Sequence, residues 1–126
     1  ACGIAGLLKG GFSENVSTTV DVHSLRQPLG VSAIISPFNF PAMVPMWFFP
    51  VAIAAGNTVV LKPSEYTPLS VQALVAVVNE VLPADVLTVV PGDGKVGAAL
   101  TDHDGVDKAM FTGSTATGQS IMRGAA

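Results

Sequence analysis

Asn39 is the residue whose surroundings point most directly to chemistry. It lies in the segment PFNFP at 37–41, directly after the apolar run 31–35. The run predicts a buried strand, and a proline just beyond it cannot extend a sheet ladder, so a stiff strand-to-helix turn is predicted. An amide NH2 fixed there could stabilise an oxyanion, which is worth roughly 3 kcal/mol per donor in a dry site. The alternative is that Asn39 only caps the following helix.

Lys62 and Glu65 follow a second apolar run, at 57–61. Open α/β sheets bind ligands at the carboxyl ends of their strands. A carboxylate there can accept two hydrogen bonds from a ribose diol, and the lysine can donate to the same sugar. The carboxylate would also repel a phosphate on that sugar. The alternative is a charged turn with Glu65 near a helix N-terminus.

A third motif, FTGST at 111–115, ends a predicted strand and begins a predicted helix. The N–H groups of such a turn, together with the Ser114 hydroxyl, would form an anion site that fits a phosphate. A helix cap by Ser114 or Thr115 is compatible with that role. The motif therefore predicts both a cap and a phosphate site.

In this order, PFNFP at 37–41, AAGNTVVLKPSE at 54–65 and FTGST at 111–115 resemble the aldehyde dehydrogenase superfamily. The resemblance covers nearly the whole chain, but only part of the several-hundred-residue proteins of that family. In them a cysteine thiolate attacks the aldehyde and, in most members, a glutamate assists as a base. Both lie downstream of residue 126, so we expect this chain to be a piece of a longer protein that is cut at both ends.

The resemblance implies an NAD site, and NAD is favoured over NADP because the Glu65 carboxylate repels a 2′-phosphate. It implies that Asn39 stabilises the oxyanion and that Lys62 and Glu65 bind the adenosine ribose. It also implies that the turn with Gly113 and Gly118 binds the pyrophosphate. The cofactor-binding residues that it implies are Ser36, Pro37, Phe38, Lys62, Ser64, Glu65, Tyr66, Gly94, Gly97, Phe111, Thr112, Gly113, Ser114 and Gly118. It also places an aromatic side chain near Trp47 at the substrate tunnel, although a tryptophan is more often part of a core.

Within the family, the first half of the chain looks like the CoA-acylating methylmalonate-semialdehyde dehydrogenases. The second half departs from that branch, which usually has a basic residue where Tyr66 stands, and valine and asparagine where Thr112 and Thr115 stand. Acyl transfer to CoA, as a co-substrate, or to water therefore stays open. The alternative function is a non-catalytic nucleotide-binding or structural module of the same fold.

Two other patterns are weaker evidence of function. GDGKVG at 92–97 matches a dinucleotide fingerprint, but it follows the third strand of the predicted sheet and not the first. It is predicted to be a glycine-rich loop, and the resemblance makes Gly94 and Gly97 a wall on the adenosine side. The acidic stretch 102–107 lacks the ligand alternation and the distal glutamate of a calcium loop, so no metal site is predicted.

Composition restricts the partners. A net charge of -3 with six Lys plus Arg offers no basic patch, so nucleic acid is not an expected partner. The apolar stretches are interrupted by prolines and polar residues, so no membrane span is predicted. The single cysteine excludes an internal disulfide and fits a reducing compartment, the cytoplasm or the mitochondrial matrix of a eukaryote. By resemblance, we expect a small-molecule aldehyde as substrate and a homo-oligomer as the full-length assembly.

Strand-like and helix-like segments alternate along the chain. Strands are predicted at 18–26, 31–35, 57–61, 86–90 and 108–111, and helices up to 8 and at 43–55, 67–81, 95–100 and 115–123. The last four strands alternate with helices, which predicts an α/β, Rossmann-like fold with a parallel sheet covered on both faces. Residues 1–28 would hold a helix end and a strand that the resemblance assigns to an oligomerisation arm. Residues 29–126 would be part of an NAD-binding domain.

Overall fold

The computed structural model describes residues 3–125 as an alternation of strands and helices, so Cys2 lies outside the described residues. The elements in chain order are α1 Ile4–Leu7, β1 Phe12–Ser17, β2 Val20–His23, β3 Val31–Ile35, α2 Met43–Ala54, β4 Thr58–Lys62, α3 Pro68–Asn79, β5 Leu87–Val89, α4 Gly94–Thr101, β6 Lys108–Phe111 and α5 Thr115–Gly124.

A four-stranded parallel sheet, in the order β5-β4-β3-β6, forms the centre of the fold. Its register pairs Ile35 with Lys62 on one side and with Phe111 on the other, so three strands end at nearly the same level. The predicted α/β class is confirmed, and the predicted bounds of β3 and β6 are those of the structure. Strands that are buried on both faces read as continuous apolar runs, which made them easy to predict.

Helices cover both faces of the sheet. One face packs against α2 and α3, where Ile34, Leu61 and Leu87 join Phe49 and Val71 in the hydrophobic core. Side chains alternate between the faces of a strand, so Ile35 and Lys62 point the other way. There α4 approaches closely: a Cβ on Gly97 would lie 3.7 Å from both Ile35 Cδ1 and Lys62 Cδ.

Asn57 ties together the amino ends of the strands. Its Oδ1 accepts hydrogen bonds from the backbone N–H groups of Leu29 at 2.7 Å and Gly30 at 3.0 Å, and its Nδ2 donates to the Ala52 carbonyl at 3.0 Å. Next to it, the Asp107 carboxylate accepts from Val31 N at 2.7 Å. These polar side chains connect β3, β4 and β6 at the amino ends of the strands.

The strand predicted at 18–26 is present but shorter, as β2, and its partner β1 was not predicted. β1 and β2 form an antiparallel hairpin in which Phe12 pairs with His23 and Ser13 with Val22, and Thr19 at the turn has φ +61°. Every residue of both strands is exposed. The sequence FSENVS has no strict alternation of apolar and polar residues, so periodicity missed β1.

None of the helices within residues 3–125 combines the length and the hydropathy needed to cross a bilayer. The longest, α2 and α3, have twelve residues each.

Candidate functional site

A cavity of about 610 Å³ lies at the carboxyl ends of β3, β4 and β6, between these ends and the helices α4 and α5. Twelve of the fourteen predicted cofactor residues line it, from four separate parts of the sequence. They are Ser36, Pro37, Phe38, Lys62, Ser64, Glu65, Gly94, Gly97, Phe111, Thr112, Gly113 and Ser114. The parallel register brings them together, because each motif follows a strand that ends at the same edge of the sheet.

Lys62 is a buried cation in the wall of this cavity. It is the last residue of β4 and only 4% exposed, and its Nζ lies 3.8 Å from Glu65 Oε2. At this separation the two groups form an ion pair, but the distance is too long for a hydrogen bond. The N–H donors of the ammonium are therefore available to another acceptor. The Glu65 side chain is 47% exposed and has acceptor capacity left as well.

Ser36 follows β3 and belongs to the same wall. Its backbone N–H donates to the Lys62 carbonyl at 3.1 Å, which extends the β3–β4 ladder by one residue. The side chain is buried, and its Oγ has no hydrogen-bond partner among residues 3–125. A buried hydroxyl without a partner fits a wall that receives a polar ligand, because leaving it unpaired is unfavourable. On this observation the residues present fit a nucleotide.

The turn before α5 caps the N-terminus of that helix. Ser114 is the N-cap residue, and its Oγ accepts a hydrogen bond from Thr117 N at 3.2 Å, which confirms the predicted cap. α5 has ten residues, and its remaining first-turn N–H groups have no intrahelical partner. A negatively charged group at this end of the cavity would be favoured by those donors.

The two glycines of this turn have a packing role. A Cβ on Gly113 would lie 2.5 Å from Phe111 Cζ, and a Cβ on Gly118 would lie 3.4 Å from Phe111 Cε1. The ring of Phe111 therefore occupies the space that a side chain at Gly113 would need. Gly118 does not line the cavity.

Three other predicted residues lie outside the cavity wall. Tyr66 is 78% exposed and packs edge-on against Phe38, with ring centroids 6.3 Å apart. Asn39 is exposed in the bend after β3. It does not cap α2, whose N-cap residue is Ala42, so the alternative interpretation of Asn39 as a helix cap was wrong.

Trp47 lines a different cavity, of about 500 Å³, together with Ser32 and Met110. Those two residues point to the α2 side of the sheet, because they alternate with Ala33 and Phe111 along their strands. Trp47 and the first cavity thus lie on opposite faces. The structure does not bring Trp47 together with the predicted cofactor residues, and its role in a substrate pocket stays a prediction.

The far end of the first cavity was missed by sequence reasoning. It is formed by the facing sides of two helices, with the residues Ala98, Thr101 and Asp102 of α4 and its C-cap, and Thr117, Ser120, Ile121, Arg123 and Gly124 of α5. Most follow the spacing i, i+3, i+4, i+7, counted from Gly94 in α4 and from Thr117 in α5. The spacing was visible in the sequence, but these small and polar residues do not resemble the apolar stripe of a packed helix.

Within residues 3–125, no three His, Cys, Asp or Glu side chains are grouped as ligands of a metal ion. In the acidic loop, His103 Nδ1 instead accepts a hydrogen bond from Gly105 N at 2.9 Å.

Known proteins resemble the whole chain. The model of the aldehyde dehydrogenase family matches residues 1–126. The mitochondrial acylating methylmalonate-semialdehyde dehydrogenase of Arabidopsis thaliana is 46% identical over 100% of this chain and 21% of its own length. The malonate-semialdehyde dehydrogenase of Pseudomonas aeruginosa is 46% identical over 96% of this chain and 24% of its own length.

Solved structures show the same similarity. The methylmalonate-semialdehyde dehydrogenase of Oceanimonas doudoroffii superposes with a TM-score of 0.94 at 47% identity, over 98% of this chain and 26% of that one. The NAD+ complex of an aldehyde dehydrogenase from Bacillus cereus gives 0.90 at 39% identity, over 97% and 25%. The chain therefore spans about a quarter of the length of these relatives.

Proposed function

Because the chain belongs to the aldehyde dehydrogenase family, we propose that it forms part of the NAD site of an enzyme that oxidises an aldehyde. The observation that carries this proposal is the cavity at the carboxyl ends of β3, β4 and β6, with the buried Lys62 ammonium and the orphan Ser36 hydroxyl in its wall. The structure of the Bacillus cereus relative is itself a complex with NAD+. Bound NAD would supply the hydride acceptor.

The residues of this chain bind and orient the cofactor in the proposal. Lys62 donates to the adenosine ribose, and Glu65 accepts from the ribose diol. The α5 N-terminus, with Ser114, binds the pyrophosphate through backbone donors and the helix dipole. Glu65 also disfavours the 2′-phosphate of NADP by charge repulsion.

Asn39 is proposed to act on the substrate. It lies one residue beyond Phe38, which lines the cavity, and between two rings that are each 60% exposed. The next residue, Phe40, has φ +57°, which is uncommon for a bulky side chain and marks a strained turn. We expect other parts of the protein to cover this turn, so that the Asn39 amide donates to the developing oxyanion in a dry site.

The substrate proposed is a semialdehyde of the malonate type, since the Arabidopsis and Pseudomonas relatives are dehydrogenases of such semialdehydes. The aldehyde would be oxidised as a thiohemiacetal of a cysteine elsewhere in the protein. Acyl transfer to CoA is favoured by the similarity to the acylating plant enzyme, and acyl transfer to water by the residues at Tyr66, Thr112 and Thr115. Product analysis with and without CoA distinguishes the two outcomes.

A homo-oligomer is proposed as the assembly of the full-length protein. The hairpin of β1 and β2 exposes Phe12, Val16, Val20 and Val22 by 46–60%, which suits an oligomerisation arm in a homo-oligomer. The cytoplasm is proposed as the compartment, or the mitochondrial matrix if the source is a eukaryote, because the plant relative is mitochondrial.

The test uses the full-length protein that contains these residues. Its affinity for NAD is measured by calorimetry, and NADH formation is measured with malonate semialdehyde. Lys62→Met should lower NAD affinity about tenfold or more, because it removes charge-assisted hydrogen bonds. Lys95→Met is the matched control, since Lys95 is exposed on α4 and does not line the cavity.

Three results would contradict the proposal. They are no binding of NAD by the wild type, equal loss of affinity in both lysine variants, or NAD binding without NADH formation from any aldehyde. The last result would favour the alternative, a nucleotide-binding module without catalysis.

A further inference from the structure

We infer that Thr67 is a positioning residue for Asn39. Its side-chain hydroxyl anchors the backbone that carries Asn39, and so connects the turn after β3 to the turn after β4. This inference rests on the proposed function, because it takes the Asn39 amide as the donor to the oxyanion. Thr67 does not line the cavity, so it would act through Asn39 and not by contact with the cofactor.

The first observation is that Thr67 occupies the N-cap position of α3 but does not cap that helix. Threonine is a preferred N-cap residue, because its side-chain oxygen can accept from the free N–H groups of the first turn. Among residues 3–125, the Thr67 side chain accepts no such bond. Its Oγ1 instead donates to the carbonyl of Phe38 at 3.5 Å. The hydroxyl therefore links two turns and does not stabilise its own helix.

The Phe38 carbonyl belongs to the same peptide unit as the Asn39 N–H. That unit is planar and includes the Cα atoms of both residues, so an anchor on the carbonyl oxygen also restricts the backbone of Asn39. On the other side, the Phe40 carbonyl accepts from Val44 N at 3.1 Å, which ties the turn to α2. Phe40 has φ +57°, a conformation that the surrounding contacts must maintain. Thr67 thus provides the anchor that precedes Asn39, and α2 provides the one that follows it.

The second observation is that the residue next to Thr67 also contacts Phe38. The Tyr66 ring packs edge-on against the Phe38 ring, with the centroids 6.3 Å apart. Two consecutive residues therefore hold the side chain and the carbonyl of Phe38. Thr67 N in turn donates to the Ser64 carbonyl at 3.2 Å, and Ser64 lines the cavity. Contacts thus run from the cavity wall to the residue before Asn39.

Thr67→Val in the full-length protein tests this role, because it removes the hydroxyl and keeps the shape of the side chain. A distance of 3.5 Å is long for a hydrogen bond between oxygens, so its loss should shift the Asn39 amide without removing it. Turnover with saturating NAD and aldehyde should fall about 3- to 10-fold, less than the decrease of about a hundredfold for Asn39→Ala. NAD affinity and the melting temperature should stay close to those of the wild type, because Thr67 neither lines the cavity nor caps α3.

Three further variants show whether the hydroxyl is responsible. Thr67→Ser keeps the hydroxyl and should have turnover close to that of the wild type. Thr67→Ala removes the hydroxyl without placing a methyl group there, so it should lose turnover as Thr67→Val does. Thr88→Val is the matched control, because Thr88 is exposed on β5 and does not line the cavity. Its turnover should not change.

A double-mutant cycle tests whether the effect depends on Asn39. In the Asn39→Ala variant the proposed oxyanion donor is already absent, so the addition of Thr67→Val should lower turnover no further. If Thr67→Val lowers turnover by the same factor with and without Asn39, the hydroxyl acts elsewhere and the inference is overturned.

The remaining outcomes distinguish this inference from the proposed function. If the wild type forms no NADH from any aldehyde, both fail. If the wild type is active and Thr67→Val has the same turnover, only the positioning role is refuted. A lower melting temperature with unchanged turnover would show that the hydroxyl is a structural cap, and an equal loss of turnover in Thr67→Ser would show that the hydroxyl is not the group that matters. Either result overturns the inference.

Discussion

Lys62 Nζ and Glu65 Oε2 lie 3.8 Å apart across the turn that follows β4, with the lysine buried and the carboxylate about half exposed. In the proposed NAD site, this pair sets the preference between the two nicotinamide cofactors. The carboxylate accepts from the ribose diol of NAD and repels the extra phosphate of NADP.

Glu65→Gln tests that role. The variant should bind NAD about 1 to 3 kcal/mol more weakly, because a charge-assisted hydrogen bond is lost. The difference between its affinities for NAD and NADP should therefore become smaller. Dissociation constants for both cofactors provide the measurement. Glu80→Gln is a suitable control, because Glu80 is exposed at the end of α3 and does not line the cavity. Unchanged constants in Glu65→Gln would remove Glu65 from the site.

Asn39→Ala tests the oxyanion role. Turnover of the full-length enzyme should fall about a hundredfold or more, while NAD affinity stays close to that of the wild type. The melting temperature should hardly change, because Asn39 is exposed and Ala42 is the N-cap residue of α2. Wild-type turnover in this variant would refute the catalytic assignment.

Gly113→Ala tests the close contact with Phe111. The new Cβ would lie 2.5 Å from Phe111 Cζ, so the ring must move, and both residues line the cavity. We expect a loss of about 1 to 3 kcal/mol in the free energy of unfolding, together with weaker NAD binding.

Gly118→Ala is the control for the same ring. Its Cβ would meet Phe111 at 3.4 Å, an ordinary contact, and alanine has a higher helix propensity than glycine. Stability should be unchanged or rise by up to about 1 kcal/mol. Equal destabilisation by both substitutions would show that the closer contact with Phe111 at Gly113 has no effect on stability.

Asn57→Ala should be among the more destabilising polar substitutions. It removes hydrogen bonds to Leu29, Gly30 and Ala52, so about 2 to 4 kcal/mol is expected at about 1 kcal/mol per bond. Asn79→Ala removes one bond, to the Leu87 carbonyl at 3.0 Å, and should cost about 1 kcal/mol. Chemical denaturation of both variants measures the difference, and similar midpoints would argue against the connecting role of Asn57.

The 126-residue chain by itself should form no NADH from an aldehyde. The proposed nucleophile is a cysteine outside this chain, and Cys2 is the single cysteine within it. The measurement is aldehyde-dependent NADH formation by the purified chain, with an established aldehyde dehydrogenase as positive control. Activity of the chain would mean that the nucleophile has been misassigned.

The sequence by itself determined the parallel sheet and the three motifs at its edge. Continuous apolar runs such as 31–35 predict strands buried on both faces, and the residues that follow each run lie at the carboxyl ends by necessity. Ser36, Lys62 and Gly113 could therefore be predicted at one edge from the order of the motifs alone. The capping role of Ser114 was also predictable, because it depends only on local backbone geometry.

The tertiary structure decided which side chains share a cavity. Tyr66 and Gly118 are among the predicted cofactor residues, yet Tyr66 is exposed to solvent and Gly118 lies against the ring of Phe111. Arg123 and Ser120 belong to no motif, yet they line the far end of the cavity because α4 and α5 face each other across it. The unpaired state of the Ser36 hydroxyl also depends on every neighbour around it, and sequence spacing cannot specify those contacts.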